Sequence, residues 1–226
     1  MTDTLSLREV RIPTEAGAMH GDLAAPADFN GVVLFVNGRG CGRHGVEDRL
    51  VASQLQRSGV ATLLLDLLTI PEQQAHRLSG VHGVDVALLT ERTLEVVNWI
   101  SDDAQLRGAS LGLCGVSAGS PAALIVAARL GKLVHAVVSV GGRPDQAGAA
   151  ALAAVKAPTL MLVGSLDSNS SGLNEGAYQH LRGERSVAVV PGGGALLEEP
   201  GVLAHAALMA ADWFTSHLDL PVAEMA

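Results

Sequence analysis

The sequence predicts an α/β protein, with a mostly parallel central sheet and helices on both of its faces. Three observations predict it. Six apolar runs, each ending in glycine or a polar turn, recur along the 226 residues, as strands buried on both faces do. Segments with apolar residues at helical spacing lie between the runs. The composition, 48% hydrophobic and 17% charged, consigns much of the chain to an interior. Strands alternating with helices imply crossover connections and a covered parallel sheet.

The elements follow in order. "LSLREVRI" and "AMHGDLAAP" read as two antiparallel strands joined by a turn around Glu15–Gly17. "GVVLFVNGRG", "GVATLLLDLL", "ASLGLCGVSAG", "LVHAVVSVGG", "APTLMLVGSLD" and "RSVAVVPGGG" are the six buried runs. Residues 84–100 place Val86, Leu89, Val96, Val97 and Ile100 on one stripe, with Glu91, Arg92 and Glu95 opposite. Residues 202–218 do the same with Leu203, Ala207, Ala210, Phe214 and Leu218. No linker or internal repeat appears, so a single domain over 1–226 is expected.

A net charge of −8 argues against a nucleic-acid partner. The two cysteines, Cys41 and Cys114, form neither a zinc motif nor a disulfide framework. The first residues lack the apolar core of a secretion signal, and no run of about 18 apolar residues suggests a membrane span. A cytoplasmic protein with reduced thiols, no membrane partner, no cofactor and no metal is expected.

In open parallel sheets, ligands sit outside the C-terminal ends of the strands. Gly115-Val116-Ser117-Ala118-Gly119 stands there. This G-x-S-x-G follows a buried run and precedes a helix, the context in which a serine is lifted on a sharp turn as a nucleophile. The alternative is a helix cap bracketed by glycines. Cys114, inside the run, reads as a buried core thiol. Asp167 follows a later strand, and the order serine then aspartate is that of α/β-hydrolases, whose acid orients an imidazole. An Asx-turn with the serines after it is the other reading, and Asp66 is the weaker candidate acid. The oxyanion hole is expected from the backbone N–H groups of Ala118 and Arg39. Arg39 and Arg43 could also reach an anionic substrate group. Asn37, Gly38, His44 and Leu196 are expected to face the substrate. Aliphatic walls are expected from Leu67, Leu68, Leu196, Leu197 and the loop near Leu173.

Together these segments resemble the dienelactone-hydrolase-like branch of the α/β-hydrolase superfamily over nearly the whole chain. "GVSAGSPAAL" and "EEPGVLAHAALMAADWF" are the most specific pieces. The resemblance implies an α/β-hydrolase fold with little lid and cofactor-free hydrolysis of esters, lactones or related small acyl compounds. Family members carry cysteine or serine at the nucleophile. Two departures stand out. Asn37-Gly38 replaces the usual His-Gly, a mostly structural position. In "GGGALLEEPG", Ala195 occupies the place of the catalytic histidine.

Without a base, a serine is a poor nucleophile at neutral pH, so the sequence predicts a nearly inactive hydrolase. Three readings stay open: an inactivating substitution, a natural cyclase, isomerase or lyase on the same fold, or a non-catalytic binding protein. His44 is the one other histidine expected near the pocket. His180 and His205 read as surface residues, and His20, His76, His82, His135 and His217 have no motif around them. Whether the chain forms a homodimer is left open.

Overall fold

Each apolar run becomes a strand, because alternate residues find a helical layer on either face of the sheet. The structure, a computed structural model, describes residues 5–29, 31–38, 42–79, 84–199 and 201–218. The expectations for Arg39, Cys41 and His82 lie outside the described residues.

The strands are β1 (Ser6–Thr14), β2 (Gly17–Ala25), β3 (Gly31–Asn37), β4 (Ala61–Asp66), β5 (Ser110–Val116), β6 (Val134–Val140), β7 (Thr159–Gly164) and β8 (Arg185–Val190). They form one eight-stranded sheet in the order β1-β2-β4-β3-β5-β6-β7-β8. β1 and β2 pair antiparallel, β2 joins β4 antiparallel, and the remaining neighbours are parallel. All seven residues of β3 are buried. Val32, Leu34 and Val36 enter one core layer, and Val33 and Phe35 the other.

The helices are α1 (Val46–Arg57), α2 (Ile70–Ser79), α3 (Val86–Asp102), α4 (Gly119–Leu130), α5 (Ala149–Ala154), α6 (Ser168–His180) and α7 (Val202–His217). Residues of α1 and α7 cover one face, and residues of α3, α4, α5 and α6 the other. Among the described residues, no helix is long and apolar enough to cross a membrane.

Two expectations change. Residues around Leu173 form α6 and not a loop. "SNSSGLNEG" has weak helix propensity, but Asn174 and Ala177 are buried and hold the segment down. Arg92 is buried although it lies opposite the apolar stripe of α3: it donates to Glu72 of α2 at 2.6 Å and to Glu95 at 2.9 Å. Burial favours the neutral form of Glu72, but hydrogen bonds from Thr69 and Arg92 outweigh it and hold the carboxyl below its ordinary range.

Candidate active site

Ser117 sits between the end of β5 and the start of α4, with φ +54. A left-handed conformation costs a non-glycine residue about 1–2 kcal/mol, so the surroundings must impose it. They do. Ser117 N donates to Val140 O of β6 at 3.1 Å, and Ser120 N donates back to Ser117 O at 3.1 Å. The first residue of α4 must be glycine, because a Cβ at Gly119 would collide with the Val36 carbonyl of β3. Pro121 lies in the first turn of α4 and is buried, where its missing N–H is harmless. Ser117 is thereby left half-exposed at the C-terminal edge of the sheet.

The remaining walls come from neighbouring strand ends. Gly38 N donates to Val116 O at 3.1 Å, which seats the loop after β3 beside Ser117. Ala118 precedes α4, and its N–H has no partner inside the helix. A Cβ at Gly142 would stand 2.8 Å from Ser117 O, and one at Gly141 would stand 2.5 Å from Ala195 O. The turn after β6 is therefore pressed between the serine turn and the 195 turn. From α6, Asn174 Nδ2 donates to Gly142 O at 3.4 Å and braces that turn.

Asp167 lies on the loop after β7, half-buried. That loop is zipped to the one after β8: Leu166 N donates to Gly193 O and Gly192 N to Ser165 Oγ, each at 2.8 Å. Asp167 thus stands next to the loop that carries Ala195. Ala195 itself is exposed. The turn is fixed by Gly194 N donating to Glu199 Oε1 at 2.9 Å and by the left-handed Leu197, with φ +56.

A cavity of about 20 Å³ lies against Ser117, lined by Asn37, Glu47, Asp48, Val116, Leu196 and Glu198. It has room for about one water-sized group, so a larger ligand must extend over the exposed Ala195 and Leu196. Among the described residues, this wall holds three carboxylates and no cation. Asp48 is buried and accepts from Asn37 Nδ2 at 2.5 Å. Burial, and after it the Asp48 charge, pushes the Cys114 thiol far above its ordinary range, which makes it inert. Sequence reading missed Glu47, Asp48 and Glu198. Only the proximity of α1 and the 195 turn to β5 brings them together.

Several expected residues stand elsewhere. His44 is exposed beside Arg49, at 3.5 Å, and does not line the cavity. Arg43 is held by Asp66 at 3.1 Å, Glu9 at 3.2 Å and Asp22 at 3.6 Å, so it faces the hairpin and not a substrate. Burial raises the Asp66 carboxyl, against the pull of Arg43. Asp66 belongs to that network and not to the serine. Leu67, Leu68 and Leu197 are fully interior. Of the expected aliphatic walls, Leu196 alone lines the cavity. Leu173 lines a separate cleft with Asp145 and Leu152. Among the described residues, no histidine lines the cavity.

No family model matches the chain. A dienelactone hydrolase from Anabaena variabilis is 36% identical, with a TM-score of 0.91, over 95% of this chain and 99% of that one. An esterase domain from Rhodothermus marinus, 16% identical, superposes with a TM-score of 0.73 over 94% of this chain and 99% of that one and shares the fold. A Mycobacterium tuberculosis protein, provisionally named a phosphoribosyl transferase, is 41% identical over 214 residues, 94% of this chain. The chain spans about half the length of that relative, 47% of it.

Proposed function

Because the chain belongs to the dienelactone hydrolase family of α/β-hydrolases, we propose that it is a serine-type acyl hydrolase acting on small esters or lactones, with Ala195 standing where the catalytic base belongs. The observation that carries this reading is Ser117: a left-handed residue at a strand-to-helix turn, enforced by the contact of Gly119 with β3. The transferase name attaches to a protein about twice as long and does not direct the reading of this site.

In the proposed reaction, Ser117 Oγ attacks the acyl carbonyl. The Ala118 N–H and a second donor from the loop after β3, expected at Arg39, receive the developing oxyanion. Asp167 is the acid that would orient an imidazole at position 195 and stabilise its charged form. With alanine there, no imidazole among the described residues that line the cavity takes the Ser117 proton as the C–O bond forms, and none returns it to the leaving alkoxide. Losing the base of a serine triad costs on the order of a millionfold, so the chain as written is expected to be nearly inactive.

The exposure of Ala195 offers a direct test. Free imidazole should enter the space beside Ser117 and raise hydrolysis of p-nitrophenyl acetate roughly tenfold above the solution reaction. The Ser117→Ala protein with the same imidazole measures that background. Equal rates for the two proteins would refute the serine route.

A further inference from the structure

At the N-terminal ends of the strands, opposite Ser117, an open groove of about 740 Å³ is lined by Arg129, Lys132, Lys156 and Arg182. Three junctions build it: the end of α4, the end of α5, and the turn between α6 and β8. They are close together. A Cβ at Gly183 would stand 3.1 Å from Lys156 O. Lys132 and Lys156 are the only lysines in the chain, whose net charge is −8. That both meet in one groove sets it apart from the rest of the surface. Among the described residues, no carboxylate lines it.

Cations beside helix C-termini commonly complement the helix dipole or cap its carbonyls. Here that role does not use them up. Among the described residues, Lys132, Lys156 and Arg182 make no ion pair and donate to no carbonyl. Their neighbours are engaged. Arg185 donates to Gly183 O at 3.2 Å and stacks on Tyr178. Glu184 is turned to His217 at 3.2 Å, and Arg129 is held by Glu91 at 2.6 Å. Three exposed cations thus stand free around a floor of Ala128, Leu130, Ala153 and Ala154, with Leu133 exposed at 64% beside it.

We propose that this groove docks an acidic, leucine-bearing peptide segment of a partner protein. Each exposed pair contributes little alone, so the ligand must engage several cations at once. The ends of α4 and α5 that line the groove present carbonyls and not N–H groups, so they are no helix-terminus site for a single phosphate. The apolar floor and Leu133 match leucine side chains between the acids, which a polyphosphate lacks. The site is independent of Ser117 and of the acyl-hydrolase reading.

The test is fluorescence anisotropy with two labelled probes, Glu-Glu-Leu-Glu-Glu-Leu-Glu and its all-glutamine analogue. The acidic peptide is expected to bind at least about tenfold tighter than the analogue, and about tenfold more weakly when NaCl is raised from about 50 to about 300 mM. The double variant Lys132→Glu/Lys156→Glu is expected to lose at least about tenfold in affinity, while Ser117→Ala binds unchanged. Lys132→Gln/Lys156→Gln, which only removes the charges, should show a smaller loss in the same direction. Equal binding of the two peptides, or unchanged binding by both double variants, would overturn the proposal. So would inorganic tripolyphosphate binding the groove more tightly than the peptide. Self-association of the chain without peptide, abolished by the double variant, would overturn it in favour of a second copy.

Discussion

Replacing Gly119 with alanine tests the serine turn without touching its chemistry. The new Cβ would overlap the Val36 carbonyl and lie 3.1 Å from Gly38 N. Both obstacles are backbone atoms of the sheet and of the loop after it, so no rotamer change relieves them. Overpacking against side chains costs about 1–3 kcal/mol, and against fixed backbone the upper end or more is expected, about 3 kcal/mol. For a chain of this size each kcal/mol shifts Tm by about 2–4 °C, so Tm should fall by about 6–12 °C. Gly172 in α6 is the control, since a Cβ there meets nothing within 4 Å. Gly172→Ala removes the glycine penalty of a helix interior and should stabilise by about 1 kcal/mol. Calorimetry and urea melts at the same pH would measure both. If Gly119→Ala melted within a degree of the parent, α4 would not press on β3, and the enforced geometry of Ser117 would be wrong.

Other outcomes follow from the same geometry. With Ala195→His as parent, Asp167→Asn should lower kcat by roughly a thousandfold or more while leaving KM nearly unchanged. In that parent the wall of Glu47, Asp48 and Glu198 should disfavour an ester carrying a free carboxylate, such as p-nitrophenyl hemisuccinate. A penalty of about tenfold in kcat/KM against the neutral acetate ester, narrowing with salt, is expected. Glu72, with its folded-state carboxyl lowered, contributes stability that is present above its unfolded pKa of about 4.5 and lost as the pH falls through the folded value. Glu72→Gln should therefore flatten acid denaturation below about pH 4.5, and cost about 1–2 kcal/mol at pH 7 because Arg92 is buried and keeps Glu95.

The sheet was legible because its central strands are buried on both faces and announce themselves as continuous apolar runs, whereas the edge strand β8 is only partly buried, with Val189 exposed. β3 is the plainest case, with seven of seven residues interior. The serine turn was legible for a related reason. Glycines at 115 and 119 are demanded by backbone contacts, Gly115 with Ser120 and Gly119 with Val36 of β3, and because both flank the serine they leave a local signature. What escaped the sequence depends on long-range pairing. Arg43 meets acids from β1, β2 and β4, and nothing near residue 43 reveals them. The pairing of Asn37 with Asp48 needs α1 folded back onto β3. The burial of Arg92 was not legible because its partner Glu72 comes from another helix. α6 was read as a loop because propensity is weak where packing decides.

The central claim is that Ser117, Ala118 and Asp167 form an acyl-transfer site complete but for the residue at 195. The turnover of p-nitrophenyl acetate by Ala195→His, compared with Ser117→Ala/Ala195→His, tests it most directly. The account predicts that the single variant exceeds the parent by at least about a thousandfold, and that the double variant returns to the parent's rate. A folded Ala195→His protein no faster than its parent, or a double variant as fast as the single, would contradict it.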